Sequence, residues 1–297
     1  MSNRHPIIAV TGSSGAGTST VKLAFDHICL RESINAIHIE GDSFHRFGRG
    51  DMQMAIAEQL SRNKRPISHF GPEGNLLGEL EKCFRTYAET GVCQRRHYIH
   101  NEEEALQHGV PVGAFTNWYP TPPGSELLLY EGLHGGFVGN GVDVARWVDL
   151  LIGVVPVVNL EWIQKIHRDM KERGYSMEAV TDAILRRMHD YVHHICPQFS
   201  RTHINFQRVP LVDTSNPFSA RDIPSLDESF VVIRFRNPKG INFPYLLSMI
   251  QGSFMTRPNC IVVPGGKMGL AMQLILTPLM LELMDRRRRA IPAGVGE

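Results

Sequence analysis

The chain has 297 residues, 42% of them hydrophobic and 21% charged, which excludes a disordered, collagenous or coiled-coil protein. Lys and Arg total 31 against 30 for Asp and Glu, a formal net charge of +1. That balance gives no global electrostatic case for nucleic acid or an anionic membrane as partner and leaves room for local positive patches.

The length allows one large α/β domain or two small ones. By run length no apolar stretch approaches the ~18 residues that a membrane helix needs. The start, Met1-Ser2-Asn3-Arg4-His5-Pro6, lacks the apolar region and cleavage site of a secretory signal. Cys29, Cys83, Cys93, Cys196 and Cys260 are odd in number, widely spaced and without a CxxC pair. A reducing, cytoplasmic location is therefore expected.

The first predicted strand is the nearly continuous apolar run Ile7-Ile8-Ala9-Val10-Thr11, suited to burial on both faces of a parallel sheet. A glycine-rich turn follows, then a helix with Val21, Ala24, Phe25 and Ile28 on one side. Further strands are expected at Ala36-Ile37-His38-Ile39, Leu127-Leu128-Leu129-Tyr130 and Leu150 to Val155. Strands alternating with helical patterns imply βαβ units. Residues 43–125 are rich in Arg, His, Gly and Pro, with a helical stretch from Leu76 to Tyr87, and are expected to elaborate the mouth of the sheet. Helices are expected from about Asn159 to Arg173, ended by Gly174, and from Ser176 as N-cap through Val180, Ile184, Met188, Tyr191 and Ile195. Strands at Phe230–Ile233 and Ile261–Val263 and a helix over Leu270–Met284 complete a C-terminal extension from about residue 228. Arg286 to Arg289 is expected to be a frayed, solvated end. The expected whole is a single α/β domain over residues 1–297, with a mainly parallel, mixed central sheet flanked by helices.

Gly12-Ser13-Ser14-Gly15-Ala16-Gly17-Thr18-Ser19-Thr20 lies between the first strand and the first helix. That is the setting of a phosphate-binding loop, whose backbone N–H groups and helix N-terminus favour an anion. Ser19 stands where a hydroxyl binds Mg²⁺. The pattern GxxxxGK[ST] is broken because Thr18 replaces the lysine, so another cation must meet the outer phosphate oxygens. A glycine-rich turn without phosphate is the bland alternative.

In open α/β sheets ligands bind beyond the carboxyl ends of the strands. Asp42 and Glu131 both sit there. One acid at a strand end would be read as a turn cap. Two beside a phosphate loop favour chemistry, since a kinase needs one carboxylate as base and another for the metal. On Glu161–Arg173, Ile163, Ile166 and Met170 share one face while Lys165, Arg168, Asp169 and Arg173 share the other. A solvated charged face is the usual explanation. The missing loop lysine makes Lys165 or Arg168 a candidate for the absent charge, closing like a lid. His45, Arg46 and Arg49, and then Arg95, Arg96, His97, Tyr98 and His100, form two clusters suited to a phosphorylated substrate. His193-His194 has no acids at metal-ligand spacing.

Taken together, these segments resemble the bacterial branch of the phosphoribulokinases. The carrying stretches are Gly12–Thr20, Glu40-Gly41-Asp42-Ser43-Phe44-His45-Arg46, Tyr130-Glu131-Gly132-Leu133-His134 and Trp162–Asp169, with Asp213–Phe218 and Ile233–Pro238. The resemblance implies a phosphate-loop kinase fold and ATP-dependent phosphorylation of the 1-hydroxyl of ribulose 5-phosphate, a reaction of the Calvin cycle. It implies Asp42 as base and Asp169 as an essential acid acting through Mg²⁺. Glu131 and Ser19 would also serve the metal. His45, Arg49, Lys165, Arg168 and Arg173 would contact the sugar phosphate or the transferred group, and Tyr98 and His100 of the basic-aromatic cluster are further candidates for the sugar phosphate. It further implies activation by NADH, inhibition by AMP and an octamer. Arg31, Arg234 and Arg257 lie away from the expected strand-end rim and are the candidates for the NADH site. Two other readings stay open from the residues alone: a uridine-kinase-like small-molecule kinase, and a nucleotide-gated regulatory ATPase.

Overall fold

The run Ile7-Ile8-Ala9-Val10 offers no polar face. In the computed structural model, which describes residues 4–13 and 18–291, it forms β1 (Ile7–Gly12), buried along its length. Helix α1 (Thr18–Arg31) and β2 (Ala36–Glu40) follow. Next come α2 (Arg49–Ser61), α3 (Leu77–Thr90), the two-residue β3 (Gln94–Arg95), α4 (Glu102–His108) and β4 (Tyr119–Pro120), which pairs with β3. Strand β5 (Leu127–Gly132) leads to a hairpin of β6 (Val138–Gly139) and β7 (Val142–Asp143), then to β8 (Leu150–Val154). Helices α5 (Val158–Arg173) and α6 (Met177–Asp190) precede β9 (Ile204–Pro210) and β10 (Ser229–Phe235). The chain ends with α7 (Phe243–Met249), β11 (Phe254–Arg257), β12 (Cys260–Pro264) and α8 (Met268–Ala290).

One eight-stranded sheet has the order β11-β12-β10-β9-β8-β1-β5-β2. Strands β2, β5, β1, β8 and β9 are parallel, and β10, β12 and β11 extend the sheet antiparallel. The mixed sheet flanked by helices matches the expected class. Strand β9 was not anticipated: its apolar residues alternate with Asn205 and Gln207 and never form a run.

Two apolar layers cover the sheet. On one face Val21, Phe25 and Ile28 of α1 and Met272, Ile275 and Leu276 of α8 pack with Ile8, Val10 and Ile152. On the other, Leu80, Phe84 and Tyr87 of α3 pack with Ile7, Ala9 and Tyr130. Part of the expected elaboration, α3, thus serves as a sheet-covering helix. Ser176 caps α6 by accepting from the Ala179 N–H at 3.2 Å, and Gly174 ends α5 at φ 68°, both as expected.

The C-terminal helix differs from expectation. Gly265–Ala290 is long and apolar enough to cross a membrane by length and composition, which counting uninterrupted apolar runs did not detect. Its buried side, including Ala271, Met272, Leu276 and Met280, lies in the core against α1. The arginine run is helical, not frayed: Arg287 Nη1 lies 3.4 Å from Glu126 Oε1 and Arg288 Nη1 3.0 Å from Asp285 Oδ1.

Candidate active site

Strand β1 delivers the chain to the phosphate loop between β5 and β8. A Cβ on Gly12 would stand 2.8 Å from the Val154 carbonyl and 2.9 Å from Thr18 Cγ2. Only glycine lets the loop leave the strand so tightly. Ser13 is buried. Ser14, Gly15, Ala16 and Gly17 lie outside the described residues, as do the side chains of Ser19 and Arg173. Thr18 is buried at the start of α1, and its hydroxyl donates to Glu131. Beside the loop, Thr20, Val155, Leu160, Arg208, Leu226 and Met268 help line a cleft.

The acids gather at the ends of β2 and β5. Glu40 and Glu131 are register partners on the two adjacent strands. Gly41 and Gly132 touch there, since a Cβ on Gly41 would lie 2.8 Å from Gly132 Cα. This close approach brings Asp42, in the 3₁₀ turn Gly41–Phe44, next to Glu131. Burial raises the Glu131 pKa above the usual range. Glu40 and Asp42 add to the effect, and Thr18 and Lys22 oppose it. So much negative charge at one rim is a setting that a divalent cation would relieve.

Asp42 is accessible and surrounded by histidines. His45 Nε2 lies 3.5 Å from Oδ1, and His100 Nε2 lies 4.0 Å from Oδ2. His45 stacks on His69 at 3.8 Å and meets Tyr98 edge-on at 6.3 Å. His134 Nε2 is 3.0 Å from the His69 carbonyl and so donates to it. Burial drives the His45 pKa down to about 3, helped by His134 and Arg187, and drives His134 to about 4. The His69 pKa also falls well below 6.5, for the same reason. Near neutral pH the three rings are uncharged, so the His45–Asp42 contact joins a neutral imidazole to a carboxylate.

Across the loop, α5 supplies a cationic group. Lys165 Nζ donates to Asp169 Oδ2, and Arg168 Nε donates to Oδ1 at 3.2 Å. Asp169 is only 3% exposed, so its charge is held by this pairing. One turn before Lys165, Glu161 is buried near the hydroxyls of Ser13 and Tyr191, and burial pushes its pKa up to about 7. Arg187 of α6 acts on His45 and His69 and also on Lys165, whose pKa is lowered mainly by burial. It lies between the two clusters.

The remaining sequence candidates divide. Tyr98 and His100 pack edge to face at 4.9 Å and join the Asp42 cluster. Arg49 is exposed at the start of α2, with its side chain against Gly113. Arg46 and Arg96 are engaged by the protein itself, contrary to the reading of both as phosphate ligands. Arg46 Nε donates to Glu73 O at 2.9 Å, and Arg96 donates to the carbonyls of Ser43 (2.8 Å) and His45 (2.6 Å). These irregular segments have buried carbonyls to satisfy. Arg31 donates to Gln273 (3.1 Å) and Thr277 (2.9 Å) of α8. Arg234 and Arg257 both align with Cys260 of β12. Because α8 covers the face carrying Ile233 and Phe235, alternation puts Arg234 on the opposite face. One chain therefore does not bring Arg31 and Arg234 together. Sequence reasoning missed Lys22, Glu40, His69, Glu161 and Arg187 as site residues. Of these, Glu40 alone carried a signal, standing two residues before Asp42 at a strand end.

The model of the Phosphoribulokinase / Uridine kinase family matches residues 7–215. A chromosomal phosphoribulokinase of Cupriavidus necator is 63% identical over 98% of this chain and 99% of its own length. A phosphoribulokinase of Nitrobacter vulgaris is 60% identical over 98% of this chain and 100% of its own. A solved structure titled phosphoribulokinase from Rhodobacter spheroides superposes with a TM-score of 0.89 at 58% identity, covering 97% of this chain and 100% of that one.

Proposed function

Since the chain belongs to the phosphoribulokinase / uridine kinase family, we propose that it transfers the γ-phosphoryl group of ATP to the 1-hydroxyl of D-ribulose 5-phosphate. The product is ribulose 1,5-bisphosphate, as the reductive pentose phosphate cycle requires. The observation that carries this reading is the accessible Asp42, with His45 and His100 beside it, next to a phosphate loop with a second acid–cation cluster across it. Full-length relatives named phosphoribulokinase favour a pentose phosphate acceptor over a nucleoside acceptor or a regulatory ATPase.

In this reading ATP lies along Gly12–Thr20, with its base in the cleft beside Leu160 and Arg208. Asp42 accepts the proton of the attacking hydroxyl. The new oxygen–phosphorus bond forms as the bond to the ADP leaving oxygen breaks. His45, uncharged, holds the Asp42 carboxylate without protonating it. Lys165 and Arg168, kept in place by Asp169, supply positive charge to the transferred group. His45, Arg49, Tyr98, His100 and Arg173 hold the sugar phosphate. The crowded acids beside Glu131 suit Mg²⁺; Glu131, with Ser19 and Asp169, would hold it, and it would neutralise phosphate charge.

The finer regulation belongs to the same proposal. NADH activates through Arg31, Arg234 and Arg257 brought together between subunits of a homo-oligomer, an octamer by family resemblance. AMP inhibits, and the enzyme works in the cytoplasm. The test of the chemistry is Asp42→Asn. General-base help contributes about 10²–10⁴ in rate, so turnover should fall at least about a hundredfold with fold and ATP binding intact. Near-parental turnover in the folded variant would remove Asp42 from the role.

A further inference from the structure

Thr18 stands where a phosphate loop normally carries its lysine, and its hydroxyl turns to Glu131. The next cation on that face of α1 is Lys22, four residues on. Residues i and i+4 stack on one helix face, and helical side chains lean back toward the N-terminus. Lys22 therefore points its flexible stem toward the end of the helix where the phosphate loop lies.

Its Nζ lies 3.6 Å from Glu40 Oε1, and the two side chains are 34% and 45% exposed. An exposed pair of this kind holds together weakly, so the lysine can change partners at little cost. Glu40 is the register neighbour of Glu131, and Lys22 already opposes the raised Glu131 pKa. The ammonium group thus stands at the strand-end rim, on the β2–β5 side of the loop. Lys165 and Arg168 approach from the α5 side and are both bonded to Asp169.

We propose that Lys22 is a nucleotide-binding residue that supplies, from one helical turn further along α1, the phosphate-contacting charge missing at position 18, with Glu40 as its resting partner. This rests on the kinase reading above and deepens it. ATP phosphates draw Lys22 from Glu40, whose other carboxyl oxygen lies 3.9 Å from His100 Nε2 in the resting arrangement, linking nucleotide occupancy to the Asp42 cluster.

The test is calorimetric titration of the full protein with MgATP in the absence of any sugar phosphate. A charge-assisted contact to phosphate supports a loss of about ten- to hundredfold in affinity for Lys22→Met. Lys22→Arg should recover most of it. Glu40→Gln should bind ATP at least as tightly as the parent, because it releases the lysine. If Lys22 merely pairs with Glu40, then Lys22→Met and Glu40→Gln will lose affinity alike, and the proposal fails. It fails equally if Lys22→Met binds MgATP like the parent. A parent that binds ATP but does not phosphorylate the pentose would overturn the substrate assignment and leave Lys22 standing. A parent that binds no ATP would overturn both.

Discussion

Glu161 lies buried at the loop's edge, in the first turn of α5. Its pKa is about 7 in the folded protein against an ordinary 4.5. Below the ordinary value both folded and unfolded forms are protonated. Between the two values only the unfolded chain ionises, so stability falls as pH rises, reaching a loss of about 3 kcal/mol above pH 7. Glu161→Gln cannot ionise. Its melting temperature relative to the parent should therefore climb by several degrees between pH 4.5 and pH 8, and a difference independent of pH would contradict the assignment. The histidines work in the opposite direction. His45 and His134 have pKa values of about 3 and about 4, so the unfolded chain takes up their protons first, and stability is lost as pH falls below about 6.5. Asp42 keeps an uncharged neighbour at His45 throughout the neutral range, as a base requires.

At the scale of elements, α5 is the part whose function depends most on its partners. Its amphipathic spacing was legible in part: Ile163 and Ile166 are buried and Lys165, Arg168 and Asp169 group together, but Met170, expected on the inward face with the two isoleucines, is 41% exposed, while Asp169 from the charged face is buried. The pairing of both cations with one buried carboxylate was not legible, because burial of Asp169 is set by tertiary packing. Lys165→Met should lower turnover by about 10²–10³, the usual effect of removing one charge-stabilising donor, while leaving ATP affinity within about threefold. Initial-rate kinetics with a parallel ATP titration reads both quantities. Equal losses would place Lys165 permanently on the nucleotide, the role given above to Lys22.

For the whole molecule, the strands with continuous apolar runs, β1, β5 and β8, were read closely from sequence. What sequence could not give is what folding brings together from distant segments. His45, His69 and His134 meet through β2, the segment before α3 and the turn after β5. Arg187 reaches them from α6. Arginine-rich segments also misled: Arg46 and Arg96 looked like phosphate ligands, yet they satisfy backbone carbonyls. The proposed effector arginines raise a question of assembly, since Arg31 and Arg234 lie on different sides of the sheet within one chain. If subunits bring them together, NADH activation should fade in Arg31→Gln, Arg234→Gln and Arg257→Gln, with turnover at high substrate retained. Linkage then requires NADH to bind the active state more tightly. Unaltered activation in all three would place the effector elsewhere and leave the kinase assignment intact.

The most direct measurement is ³¹P NMR of the protein with MgATP and, in parallel, ribulose 5-phosphate, uridine or no acceptor. ADP formation should depend on ribulose 5-phosphate and be matched by a new phosphomonoester signal from the 1-position of the pentose. ADP released at the same rate without acceptor, or phosphate transferred to uridine in preference to the pentose, would contradict the proposed reaction.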